Sequence, residues 1–205
     1  MALPMADVLT MRASLPTRRT VAAQTRYALY RDDLRQDFAN ACGYCGDDDF
    51  RVDRITFHID HFAPRKIFPA LECDYGNLVY ACRFCNMAKS DHWVGSDATV
   101  PNDGKRGFVD PCSDQYETHF RRDPSGRIVP VGELGAYIAK RLRFNLLRHE
   151  LLWQARRARA LRDEVRALIA TMKARAVGGD AYIELLERYM SLTEAIDDYE
   201  LRAAA

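Results

Sequence analysis

Two Cys-x-x-Cys pairs, Cys42/Cys45 and Cys82/Cys85, have the clearest chemical meaning of any residues in this chain. Four thiolates complete the tetrahedral coordination shell of a structural zinc ion and leave no position for a substrate. The interval from Cys45 to Cys82 exceeds the roughly 15 to 20 residues of an ordinary zinc ribbon. The sequence therefore predicts a zinc site with an insertion between its two halves, and redox-active or metal-free thiols are the alternative.

The insertion carries His58, Asp60 and His61, whose side chains suit metal-dependent hydrolysis of a phosphodiester. That reaction needs an activated water and a cation that stabilises charge on the phosphate and on the leaving oxygen. The Asp60 carboxylate and the side-chain carbonyl of Asn86 are hard oxygen ligands suited to Mg²⁺ or Mn²⁺, a catalytic metal distinct from the zinc. His61 can accept a proton near neutral pH and is the predicted general base.

Each of these residues also has a purely structural interpretation. Asp60 and His61 could form a turn at the end of a strand, and Asn86 could be the N-cap of a helix. His58 is predicted either to lie near the metal or a phosphate, or to be a structural histidine.

Four cations flank the predicted site, at Arg65, Lys66, Arg83 and Lys89. They are predicted to neutralise backbone phosphates of a nucleic acid, with a solvated surface as the alternative. Farther along, positions 133–175 hold eleven Lys or Arg residues and four acidic ones. This basic stretch could extend the same surface, could be the exposed side of a helix, or could be covered by an acidic partner or by the acidic end of the chain.

Periodicity predicts the elements that must position these side chains. Ile55, Phe57 and Ile59 alternate with polar residues, which predicts a strand with His58 and Asp60 side by side on the face opposite to the core. Glycines and prolines between 94 and 130 predict an irregular loop region. The other predicted elements are a helix over about 25–41, a strand over 77–81, and helices over about 83–92, 135–177 and 181–196.

Composition places few limits on function. The 205 residues are 48% hydrophobic and carry a net charge of +1, which is ordinary for a soluble globular protein. No apolar run approaches the roughly 18 residues of a membrane span, and residues 1–20 lack a secretory core. The predicted location is therefore the cytoplasm, where disulfides are disfavoured, and Cys73 and Cys112 are predicted to stay unpaired.

The segment from Cys42 to Trp93 resembles the HNH endonucleases, also called ββα-metal nucleases. That family has an Asp-His pair ending the first strand, an Asn before the second strand, and an Asn or His at the start of the helix. Asp60-His61, Asn77 and Asn86 fill these places. Together with the two cysteine pairs, the motif is similar to the phage recombination endonuclease VII type, which also carries a structural zinc.

This resemblance implies a small ββα-metal core with a four-cysteine zinc site. Together with the helices that periodicity predicts on either side, the expected fold class is α+β: this core flanked by an N-terminal helix and a mostly helical C-terminal region. It also implies that Asn77 hydrogen-bonds across the loop and keeps His61 oriented, whereas an ordinary turn residue is the alternative. The expected divisions are an N-terminal helical arm at 1–41, the nuclease core at 42–93, the irregular loop region at 94–130 and the helical region at 131–205.

A weaker resemblance extends beyond the core. Phe108 to Cys112, His119-Phe120 and Leu142 to Arg148 are similar to the region after the core in HNH proteins of bacterial phage-defence operons, such as the Septu and retron-associated nucleases. It implies an ATPase-type partner protein and a defence role, with the C-terminal helices as the docking arm. Self-packing or homodimerisation would explain those helices equally well.

The leading hypothesis is a metal-dependent endonuclease that cleaves DNA with a water activated by His61. It has two alternatives: a non-catalytic zinc module that binds nucleic acid or a protein, and a subunit that is active only with an ATPase partner. No membrane partner is expected.

Overall fold

Two short strands and the helix that follows them carry most of the predicted site residues. In the computed structural model, strand β1 (His58–His61) pairs antiparallel with β2 (Leu78–Ala81), so that His58 lies opposite Ala81 and His61 opposite Leu78. Helix α2 (Arg83–Lys89) begins directly after β2 and contacts β1. The connection between the strands contains two 3₁₀ turns, Pro69–Leu71 and Tyr75–Asn77.

The structure describes residues 10–50 and 56–204. Residues 1–9 of the predicted N-terminal arm, and Ile55 at the predicted start of β1, lie outside them. The chain divides into two compact units, Met1–Leu146 and Leu147–Ala205. The described residues form helices and two small antiparallel sheets, which confirms the predicted α+β class. None of their helices is both long enough and apolar enough to cross a membrane.

The first unit is built on one hydrophobic core. All four residues of β2 are buried, and they belong to the same cluster as Leu34, Phe57, Phe108 and Ile138. The remaining elements of this unit are a 3₁₀ turn at Tyr27–Tyr30, α1 (Arg31–Asp37), a 3₁₀ turn at Tyr116–His119, β3 (Phe120–Arg122), β4 (Ile128–Pro130) and α3 (Gly132–Arg141). Strands β3 and β4 pair antiparallel inside the predicted loop region.

The second unit consists of two long helices, α4 (Leu147–Ala174) and α5 (Asp180–Ala204). They pack through an apolar cluster that includes Leu151, Leu152 and Ala203. Arg159 and Glu200 form an ion pair between them at 3.5 Å.

Two predicted helices are interrupted in the structure, and the helix predicted over about 181–196 continues to Ala204. The first is interrupted, because residues 27–30 form a 3₁₀ turn and Ala39 and Asn40 take positive φ angles of 51° and 59° that end α1. The helix predicted over 135–177 is two helices, since α3 stops at Arg141 and α4 begins at Leu147. The apolar spacing continues across this break through Leu142 and Leu146, so periodicity alone could not reveal it.

Candidate functional site

The four paired cysteines form one buried cluster. Their sulfur atoms all lie within 4.8 Å of one another, and the sulfurs of Cys45 and Cys82 are 3.8 Å apart. Four sulfurs about 2.3 Å from a tetrahedral zinc are separated by roughly 3.8 Å. The cysteines form no disulfide, and their exposed fractions are at most 1%. The cluster therefore has the ligand type, number and spacing of a structural zinc site.

Side chains from other parts of the chain donate hydrogen bonds to the backbone of the loop that carries the first cysteine pair. Three successive carbonyl oxygens each accept a hydrogen bond: that of Gly43 from Arg12 (2.6 Å), that of Tyr44 from the Tyr116 hydroxyl (2.8 Å) and that of Cys45 from Arg122 (2.9 Å). Arg12 and Arg122 are 5% and 1% exposed. A loop has no strand partner for its carbonyls, so these donors satisfy them and fix the position of the first two sulfurs.

A cleft of about 850 Å³ lies beside β1 and α2. Its walls come from β1, α2, the 3₁₀ turn at Tyr27–Tyr30 and the loop that follows β1. Among the residues that line it are six of the predicted site residues: His58, Asp60, His61, Arg65, Lys66 and Asn86.

Asp60 is 5% exposed and uses one carboxylate oxygen for its internal contacts. Its Oδ2 atom accepts a hydrogen bond from the Tyr44 hydroxyl at 2.5 Å and pairs with the Lys89 ammonium at 3.0 Å. No described residue donates a hydrogen bond to Oδ1. Burial raises the pKa of Asp60, while Lys89 and Tyr44 oppose the shift. These contacts hold the carboxylate in place and leave one oxygen available for a cation.

His61 is 7% exposed, and its ring packs edge-on against Tyr27 at 4.8 Å between centroids. Its Nε2 atom lies 3.0 Å from the backbone carbonyl of Glu72. Because a carbonyl can only accept, Nε2 carries the proton and Nδ1 keeps the lone pair. Burial lowers the pKa of His61, which favours the neutral imidazole. The geometry therefore makes Nδ1 the nitrogen able to accept a proton.

Asn77 connects the two backbone segments on which the His61 ring depends. Its side chain accepts from the Ala63 backbone N–H (2.7 Å) and donates to the Ala63 carbonyl (3.0 Å). It also donates to the carbonyl of Leu71 at 3.3 Å, next to the Glu72 carbonyl that holds the ring. This is a bridge across the loop of the kind that the resemblance implied.

Asn86 is the fourth residue of α2, and the alternative that made it the N-cap is wrong. Cys82 is the N-cap, and its sulfur accepts from the Cys85 backbone N–H at 3.5 Å. The Asn86 side chain contacts His58, with its Nδ2 atom 2.8 Å from Nδ1 of the imidazole. Burial, together with the positive charges of Arg31 and Arg83, lowers the pKa of His58. A neutral His58 accepts this bond at Nδ1, so the Asn86 carbonyl oxygen stays available for a cation.

The four predicted phosphate-binding cations have different environments. Arg65 and Lys66 line the cleft with their side chains 52% and 80% exposed, and they pair with Glu72 and Asp91 at 2.9 Å each. Arg83 is exposed on α2.

Lys89 does not fit the phosphate contact predicted for it. Its side chain is fully buried, and its ammonium donates to the carbonyl of His61 at 2.8 Å besides pairing with Asp60. The reason is the helical period, since Lys89 lies on the face of α2 that carries Cys85 toward the core.

Sequence reasoning missed several residues that line or support the cleft, Tyr44 and Arg31 among them. Tyr44, inside the first cysteine pair, binds Asp60, and Arg31 lines the cleft while donating to the carbonyl of Phe57 at 2.6 Å. The position of Tyr44 between two predicted ligand cysteines was a signal, because the loop that carries it lies beside β2, where the Gly43 N–H donates to the Tyr80 carbonyl. Arg31 had no local signal, because it comes from a different helix.

Comparison with known proteins agrees with this geometry. Residues 42–92 match the family model described as HNH endonuclease. No curated protein and no solved structure matched the chain. The matched segment contains both cysteine pairs, β1, β2 and α2. The chain therefore carries an HNH endonuclease domain at residues 42–92, which supports nuclease activity and a nucleic-acid substrate.

Proposed function

We propose that this protein is a metal-dependent endonuclease that hydrolyses DNA phosphodiester bonds in the cleft beside β1 and α2. The observation that carries the proposal is the convergence of one proton acceptor and two oxygen ligands in that cleft. His61 has Nδ1 free to accept a proton, and Asp60 and Asn86 each have one side-chain oxygen available. The zinc site has a different task, since its four thiolates leave no coordination position for a substrate.

Each residue of the cleft has a separate task. The free oxygens of Asp60 and Asn86 would hold Mg²⁺ or Mn²⁺, hard cations that prefer such ligands. The bound cation would supply positive charge for the phosphate and for the departing oxygen. His61 takes a proton from the attacking water at Nδ1, and the Glu72 carbonyl and Asn77 hold its ring in position. Arg65 and Lys66 neutralise neighbouring phosphates.

The metal requirement tests this function directly. Supercoiled plasmid DNA should be cleaved by the zinc-loaded chain when Mg²⁺ or Mn²⁺ is added, and should stay intact without them or when EDTA is added with the magnesium. Cleavage that proceeds without a divalent cation would rule out the proposed ligand roles. DNA left intact under every condition would favour the non-catalytic zinc module or a subunit that needs its partner. The defence role and the ATPase-type partner stay predictions, because no feature of the fold bears on them.

His58 has a positioning role in this proposal. Replacing it with alanine removes the acceptor that orients the Asn86 amide, so the carbonyl oxygen no longer has a fixed direction. Groups that orient metal ligands typically contribute 10- to 100-fold to metal affinity. We expect His58→Ala to raise the Mg²⁺ concentration for half-maximal cleavage by about 10-fold or more, with the rate recovering at saturating metal. An unchanged magnesium requirement would show that His58 does not orient Asn86.

A further inference from the structure

A second groove, of about 580 Å³, adjoins the cleft at α2. Met87 and Ser90 line both depressions, so the two meet along the C-terminal half of α2. The far wall of the second groove comes from α3 and the turn after it, which contribute Lys140, Arg141 and Arg143. A strand leaving the cleft along α2 would reach these three cations next.

The charge of this groove is positive and uncompensated. None of its lining residues is acidic, and all three cations are exposed. Within the described part of the chain, Lys140 and Arg143 have no acidic partner. Arg141 is held in place by His92, whose Nε2 atom lies 3.0 Å from its guanidinium, and by the Tyr137 ring at 5.8 Å. Several other exposed cations in the described part of this unit are paired with acids, as Lys66 is with Asp91 and Lys105 with Glu133.

Helix stability alone does not explain these cations. Positive residues in the last turn of a helix interact favourably with its dipole, which accounts for Lys140 and Arg141. Arg143 lies beyond the helix at φ 55°. The Phe144 N–H donates to the Ala139 carbonyl (2.9 Å) and the Arg143 N–H to that of Lys140 (3.4 Å), a helix ending whose left-handed position is usually glycine. An arginine there is a conformational cost that helix termination does not require.

We propose that Lys140, Arg141 and Arg143 form a second binding site for the phosphodiester backbone, which holds the substrate beyond the catalytic cleft. The inference rests on the proposed nuclease function and extends it. Unpaired cations on one wall, spaced along a groove that continues the cleft, match the sequence-independent charge of a nucleic-acid backbone. Binding here would lengthen the region of DNA that the protein contacts without adding base specificity.

The test is DNA binding by the full chain, carrying His61→Ala so that the probe stays intact. Affinity for a labelled duplex of about 30 base pairs is measured by fluorescence anisotropy over a range of KCl concentrations. The variant combines Lys140→Gln with Arg143→Gly. Glycine adopts the left-handed backbone conformation at position 143 without strain, so the unfolding temperature of the variant should not fall below that of the parent. Each lost phosphate contact costs about fivefold in affinity at roughly 0.15 M salt. We expect binding about 30-fold weaker and a salt-dependence slope smaller by about 2.

The matched control is Lys105→Gln with Arg106→Gln, which removes the same charge from residues paired with Glu133 and Asp103. It should bind within about twofold of the parent. Equal affinities for the groove variant and the control would overturn the second site, as would a parent that does not bind DNA. Failure of the nuclease proposal would give a different result. The plasmid would stay uncut with added Mg²⁺ or Mn²⁺, while the groove variant would still bind DNA more weakly than the parent.

Discussion

Replacing His61 with alanine should reduce the rate of plasmid cleavage in Mg²⁺ by about 10²- to 10⁴-fold, the contribution expected of a positioned general base. The imidazole lies in the cleft with Asp60 and Asn86, and Nε2 is committed to the Glu72 carbonyl. Its Nδ1 atom is therefore the available proton acceptor, and alanine supplies none. The measurement is single-turnover cleavage of supercoiled plasmid at saturating protein, which separates the chemical step from DNA binding.

Two further variants show whether the loss is specific to this base. His119→Ala removes a histidine that does not line the cleft, so its cleavage rate should match the unmodified chain. His58→Ala should regain its rate when magnesium is raised, whereas His61→Ala should not, because its defect is a missing proton acceptor. A His61→Ala protein that binds DNA and zinc normally and still cleaves at the original rate would exclude His61 as the base.

The parts of the site that could be predicted from the sequence are those in which residue type and short-range spacing together identify the role. Cys-x-x-Cys spacing identifies metal ligands because a knuckle brings two sulfurs together, and the four sulfurs do cluster within 4.8 Å. The adjacency of Asp60 and His61 at a strand end, with Asn86 directly after a ligand cysteine, placed the three side chains in one cleft. These relations act over a few residues or through the cysteine cluster, and each can be recognised from spacing.

Relations between distant segments could not be predicted. Lys89 flanks the predicted site in the sequence, which predicts a phosphate contact, but its ammonium pairs with Asp60 of β1 instead. Arg12 and Arg122 bind the first cysteine pair from opposite ends of the first unit, and no local pattern marks them among the other arginines. The break between α3 and α4 was hidden because the apolar stripe continues through it. For Lys89, Arg12 and Arg122, the deciding contact joins residues that lie far apart in the sequence.

Removing the zinc should have the largest effect on the folded domain. The metal would join the loop of the first cysteine pair, whose Gly43 N–H donates to the Tyr80 carbonyl of β2 (2.8 Å), to the beginning of α2. Without the metal, four buried thiol groups would be crowded together at the short separations that suit coordination of one ion. Structural zinc binding typically contributes on the order of 10 kcal/mol in small domains near neutral pH. We therefore expect one zinc per chain by elemental analysis, and loss of the cooperative thermal transition of the first unit after exhaustive chelation.

Cys82→Ala tests the same dependence genetically and connects it to catalysis. Cys85 precedes Asn86, so a ligand cysteine sets the position of a proposed metal-binding amide, and Tyr44 between Cys42 and Cys45 holds Asp60. Loss of zinc should therefore abolish cleavage even at saturating Mg²⁺, because both cation ligands lose their support. Cys73→Ala is the matched control, since Cys73 lies outside the cluster, and it should keep both zinc and activity. A Cys82→Ala protein that lacks zinc yet cleaves at the normal rate would show that the catalytic cleft forms without the zinc site.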